Sequence, residues 1–137
     1  MALLGGVRDR TGTDRYLEHN LRHWAEHGFG LWMLRDAGTG GMAGRAIVRH
    51  LLLEGAEEVE IGYGFFPAWW GRGLATEIAR ECVRIGMGPL GYRSLVGITL
   101  PVNAASRRVL EKAGLHYERD VLHEGLPHVL YRIEPSP

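Results

Sequence analysis

The sequence predicts a mixed α/β (α+β) domain, a sheet with helices packed on it. Residues 59–66 alternate strictly, with Val59, Ile61, Tyr63 and Phe65 on one side and Glu60, Gly62 and Gly64 on the other, which is the period of a strand. Residues 74–87 instead carry Ile78, Cys82 and Ile85 at helical spacing. Around these two segments, short apolar runs and helical stretches interleave between glycine-bearing turns, the pattern of an α/β layer fold.

Taken in order, residues 13–27 read as an amphipathic helix: Leu17, Leu21 and Trp24 share one face, and Thr13 or Asp14 can cap it. His19, His23 and His27 stand four apart on the other side, a spacing that suits a solvated face or a metal. No carboxylate or cysteine completes a site at ligand spacing, so no metal is expected. Gly28-Phe29-Gly30 stops the helix. Residues 31–35 and 42–53 read as two strands of a hairpin across the turn 36–41. The alternating strand 59–66 ends at Pro67, and the helix 74–87 is broken by residues 86–91. Residues 94–100 read as a strand, and 103–113 as a helix with Gly114 in the C-terminal stop position. Residues 117–122 and 128–133 close the chain as a strand pair around Gly125-Leu126-Pro127.

Composition narrows the function classes. The 137 residues, 45% hydrophobic and 23% charged, suit one domain over residues 1–137. Sixteen basic residues balance sixteen acidic ones, so the electrostatic footprint of a nucleic-acid or membrane-surface binder is absent. Cys82 is the only cysteine, which rules out an internal disulfide framework and favours a reducing compartment. No apolar run approaches the roughly eighteen residues of a membrane span. The expected location is cytoplasmic.

The strongest local signal is Gly71-Arg72-Gly73-Leu74-Ala75-Thr76, which follows a strand and opens a helix. Such a turn leaves backbone N–H groups unpaired at the positive end of the helix dipole, where a phosphate fits. A plain strand-to-helix turn is the alternative. No Gly-x4-Gly-Lys-Ser/Thr run is present, and the strand ending at residues 99–103 offers no carboxylate for a ribose. Both a P-loop and a dinucleotide fold are thereby set aside.

The stretch from Glu60 to Glu77, with Glu60-Ile61-Gly62-Tyr63, Pro67 and Trp70-Gly71-Arg72-Gly73-Leu74-Ala75-Thr76-Glu77, resembles the acyl-CoA-binding core of the GNAT N-acetyltransferase superfamily. It is most similar to the RimJ/RimL-like branch, as is the block from Asn103 through Ser106, Val109, Leu110, Glu111, Lys112 and Gly114 to Leu115, where Leu115 replaces the usual Phe. The resemblance implies a GNAT-like, mostly antiparallel sheet with a splayed strand pair and flanking helices. It also implies acetyl-CoA as co-substrate. Backbone groups at Phe65 and Phe66 would then pair with the pantetheine arm, as an added strand does. The turn of Trp70, Gly71, Arg72, Gly73, Leu74 and Ala75 would cradle the pyrophosphate, with Thr76 adding a hydroxyl. The wider superfamily has Gln or Arg where Trp70 stands, but Trp is usual in the branch it resembles, which favours packing over phosphate binding for Trp70. Asn103 would lie beside the CoA arm, cap the following helix, or do both. Lys112 and Arg107 are either partners of the adenosine 3′-phosphate or solvated charges.

The implied reaction is direct attack of a neutral amine on the thioester in a ternary complex, with a backbone N–H near Phe65 stabilising the oxyanion. Ser106 would serve as general acid toward the leaving thiolate, or make a polar contact in its helix. Glu60 would be the general base, acting through a water, or pair with an arginine on the sheet. Tyr63 and Tyr117 are further hydroxyls that the resemblance does not place in the site. The acceptor would be a protein N-terminal amine or a small amine, with no nucleic-acid or membrane partner. A non-catalytic acyl-CoA-binding or interaction module of the same fold is the competing reading. Gly64 stands where relatives often carry a large aromatic. The first strand and helix usual in the family are also missing ahead of Leu4, which would bare one sheet edge. A shortened or misstarted chain explains this, or a homodimer whose second protomer covers the edge.

Overall fold

A computed structural model describes residues 30–35 and 38–135; the helix expected over 13–27, its three histidines and part of the first turn lie outside these residues. The described residues form one six-stranded sheet with two helices. The strands are β1 (Leu31–Arg35), β2 (Met42–Leu53), β3 (Ala56–Phe65), β4 (Leu95–Thr99), β5 (His116–His123) and β6 (Leu126–Ile133). The helices are α1 (Leu74–Met87) and α2 (Ala104–Lys112), and a short 3-10 turn over Pro67–Trp69 follows β3. The spatial order is β1-β2-β3-β4-β6-β5, antiparallel except for the central β3–β4 pair. This is the mixed, mostly antiparallel sheet with flanking helices that the sequence predicts.

β3 begins at Ala56, three residues before its regular alternation, because the turn ahead of it needs only two residues. Glu54 and Gly55 both have positive φ, 48° and 83°, as a tight two-residue hairpin turn requires. Glu124 and Gly125 repeat that geometry between β5 and β6, so Leu126 and Pro127 belong to the strand and not to the turn.

The alternation of β3 sorts the core into two faces. Ala46, Val48, Val59 and Ile61 are buried with Ala79 and Cys82 of α1, Leu110 of α2, and Tyr131 of β6. Within α1 the buried stripe is Ala79, Cys82 and Gly86, smaller than the Ile78–Cys82–Ile85 face that periodicity suggests. Gly86 lies inside the helix instead of breaking it, and a Cβ there would meet Leu95 Cδ1 at 2.8 Å. Burial pushes the Cys82 thiol up to about 12, so it is inert packing and not a nucleophile.

On the opposite face Leu53, Val96, Val121 and Leu130 are buried together, with Leu51 and Ile98 against them. The β2–β3 hairpin supplies two of these residues by reaching across the sheet. At its tip the Glu54 carboxylate accepts the Leu122 N–H at 3.3 Å and pairs with Arg119 at 3.7 Å, both on edge strand β5. Midway, Arg132 grips Glu58 with both terminal nitrogens, at 2.9 and 2.7 Å, and reaches Glu118 through Nε at 2.8 Å.

Hydrogen bonding from Arg132 holds the Glu118 carboxyl below its ordinary value of 4.5. A carboxyl with a lowered folded-state pKa adds stability in full above its unfolded value, and that contribution is lost as pH falls through the folded one. Melting temperatures taken from neutral pH downward are therefore expected to decline more gently below pH 4.5 in Glu118→Gln than in the parent protein. Equal slopes would show that Glu118 is unlinked to acid unfolding.

Candidate active site

The site forms where β3 and β4 part. Their parallel register matches a single pair, Glu60 with Val96, and the strands diverge beyond it. Phe66 N–H donates to Ala43 O on β2 at 2.9 Å, and Phe65 stands opposite Gly44. Paired groups alternate along an antiparallel ladder, so the N–H groups of Tyr63 and Phe65 are directed away from β2, toward the opening. The splay implied by the resemblance is thus present, with two amide donors along one wall.

Two of the backbone groups assigned there from sequence are used differently. The Phe66 N–H is spent on β2, and the Phe65 carbonyl accepts the Trp70 indole N–H at 2.8 Å. Phe65 therefore keeps its N–H toward the opening while Trp70 occupies its carbonyl. Trp70 is half exposed and acts as a brace between the strand end and the glycine turn. Phe66 itself is exposed at the rim.

The glycine turn has the form expected of an anion cradle. Gly71 and Gly73 have φ of 77° and 73°, and an added Cβ at either would find nothing within 4 Å, so their outer side is open. Gly73 caps α1 without a side-chain hydrogen bond, and the first helical bond runs from Glu77 N–H to Gly73 O at 3.2 Å. The amides of Leu74, Ala75 and Thr76 precede that bond and are directed out of the helix N-terminus. Arg72 is exposed beside them.

Across the opening, α2 starts with Asn103 as its cap: Asn103 Oδ1 accepts the Ser106 N–H at 3.1 Å. Ser106 Oγ lies 3.0 Å from the Tyr63 hydroxyl. Burial raises the Tyr63 phenol above its ordinary 10.0, so it stays protonated. Glu60, 6% exposed, sits at the apex where the strands still pair, and its Oε1 accepts Arg49 Nε at 2.8 Å. It points to the sheet face opposite Tyr63, so Glu60 and Ser106 flank the opening from its two sides. Arg107 is engaged with the Tyr131 hydroxyl at 3.0 Å and Pro101 O at 3.0 Å, which ties α2 to the sheet. Among the described residues no cluster of three or more His, Cys, Asp or Glu could hold a metal.

Sequence reasoning missed Tyr63 as a partner of Ser106, because a strand residue and a helix residue 43 positions apart meet only once the crossover is built. The arginine partner expected for Glu60 on the sheet is Arg49, which faces Glu60 in the hairpin register.

The family model described as Acetyltransferase (GNAT) domain matches residues 1–116. The protein YkkB of Bacillus subtilis, itself uncharacterised, is 31% identical over 131 residues, covering 96% of this chain and 76% of its own. The crystal structure of an acetyltransferase from Agrobacterium tumefaciens superposes with a TM-score of 0.84 at 26% identity, over 98% of this chain and 77% of that one. A shorter match, 41% over 59 residues, covers 43% of this chain and 25% of the FsC-acetyl coenzyme A-N(2)-transacetylase of Aspergillus fumigatus.

Proposed function

Given that the chain belongs to the acetyltransferase (GNAT) domain family, we propose that it moves an acetyl group from acetyl-CoA to a primary amine, by direct attack in a ternary complex. One observation carries this reading: the β3–β4 opening, with inward-directed amides, stands beside an open cradle of glycine and helix N-terminal amides. A pantetheine arm suits the first and a pyrophosphate the second. The name of the Aspergillus relative supports acetyl-CoA as donor.

In this reading the thioester carbonyl lies against the Phe65 N–H, which takes up the charge of the oxyanion. The amine arrives charged at neutral pH and must lose a proton before it attacks. Glu60, at the apex and oriented by Arg49, receives that proton through a water. The amine nitrogen bonds the thioester carbon, and as the carbon–sulfur bond breaks its electron pair goes to sulfur. The remaining surplus proton on nitrogen passes through water to the thiolate, and Ser106 stabilises that thiolate from α2. The acceptor is a protein N-terminal amine or a small amine such as a polyamine or an amino acid.

The first test is melting with and without acetyl-CoA, with NAD and ATP as controls. At a hundred times its Kd, acetyl-CoA is expected to add about 2.7 kcal/mol, a rise of several degrees. No shift on folded protein overturns the reading. With an accepted amine in hand, Glu60→Gln and Ser106→Ala are each expected to lower kcat about tenfold or more. Unchanged rates in both would remove the two assignments.

A further inference from the structure

The contact between Tyr63 and Ser106 bridges the two walls of the opening. Tyr63 belongs to β3, and Ser106 lies in the first turn of α2, which follows β4. Their oxygens are 3.0 Å apart, while the Tyr63 hydroxyl stands 3.4 Å from the Ser106 carbonyl oxygen, so the side-chain hydroxyl is the closer partner. The Ser106 backbone N–H is held separately by Asn103, so the contact with Tyr63 bears on the side-chain hydroxyl and the direction of its Oγ–H.

That direction matters chemically. Each hydroxyl carries one proton and can also accept. If the serine donates to the tyrosine, its proton is spent inside the protein. If the tyrosine donates to the serine, the serine proton is released toward the opening. The phenol is the more acidic of the two hydroxyls and hence the better donor, and burial keeps it protonated.

We propose that Tyr63 is a positioning residue that donates to Ser106 Oγ and thereby aims the Ser106 proton at the sulfur of the bound thioester. This rests on the acetyl-transfer reading above. Tyr63 gives up no proton in the step. It sets the direction of the hydrogen bond that Ser106 offers as the carbon–sulfur electron pair moves to sulfur.

The test is a double-mutant cycle on the full chain, with kcat and KM for acetyl-CoA measured in Tyr63→Phe, Ser106→Ala and the double variant. Tyr63→Phe keeps the ring and is expected to lower kcat about tenfold with KM changed less than about twofold. The double variant is expected to be no slower than Ser106→Ala alone, because Tyr63 acts only through the serine. Ser106→Thr, which keeps a hydroxyl within reach of Tyr63, is expected to retain more activity than Ser106→Ala. A wild-type kcat in Tyr63→Phe, or losses that multiply in the double variant, would overturn the proposal and leave the acetyl-transfer reading standing. An acetyl-CoA melting shift without release of CoA thiol in the presence of any amine tested would instead overturn acetyl transfer itself, and the proposal with it.

Discussion

Gly44→Ala is expected to destabilise the fold by about 4 kcal/mol, an unusually large loss for adding one methyl group. A Cβ at this position would stand 2.1 Å from Gly64 O and 2.9 Å from Phe65 Cα. Both obstacles are backbone, so no rotamer change relieves them. β2 must move away from β3 just where Phe65 directs its N–H into the opening, and acetyl-CoA binding is expected to weaken along with stability. The sign is informative, because glycine inside a strand is ordinarily the weaker choice. Gly62, on the partner strand β3, provides the comparison. A Cβ there would meet only the Ile47 side chain, at 3.7 Å, an ordinary contact. Gly62→Ala is accordingly expected to leave stability within about 0.5 kcal/mol of the parent. Urea unfolding of both variants checks the pair, and a tolerated Gly44→Ala would mean that β2 and β3 are farther apart than described.

Gly73→Asp is expected to abolish the acetyl-CoA melting shift, a loss of about 2.7 kcal/mol of ligand stabilisation at a concentration that otherwise saturates. At φ 73° the backbone favours glycine, but Asn and Asp tolerate this region better than other residues. The space around the position is open, so the unliganded fold should accept either side chain. Gly73→Asn has nearly the same shape and backbone cost as Gly73→Asp, without the charge. It is expected to weaken binding only in part, and the difference between the two variants reads the electrostatic contribution of the turn. Equal shifts in both would show that no anion sits there.

Sequence alone reached much of this arrangement, and its misses share a cause. The span of α1 is legible because the period that marks it is local, although it is Gly88 and not Gly86 that ends it. The β1–β2 hairpin and the alternation of β3 are legible for the same reason. The glycine turn is legible as an anion cradle because its chemistry resides in consecutive backbone groups. What escaped depends on the chain folding back on itself or on distant elements being brought together. Trp70 takes the Phe65 carbonyl only because the 3-10 turn folds back on the strand end. Tyr63 finds Ser106 only after β4 and α2 are in place. The need for Gly44 arises from the approach of its neighbour strand, which no property of the residue itself announces. Glu60 carried two readings in the sequence. The structure realises its pairing with an arginine, and its part as a base is left to the kinetics of Glu60→Gln.

The single matched pair between β3 and β4 has a further consequence for cooperativity. The sheet is nearly two half-sheets, one of β1–β3 and one of β4–β6, with one rung of backbone between them. Their union rests on side chains, those of α1 on one face and of the hairpin residues Leu51 and Leu53 on the other. A ligand whose amides fill the opening supplies rungs that the polypeptide leaves out. For such a protein, occupancy and architecture are linked quantities: whatever tightens the ligand also makes the two halves melt as one.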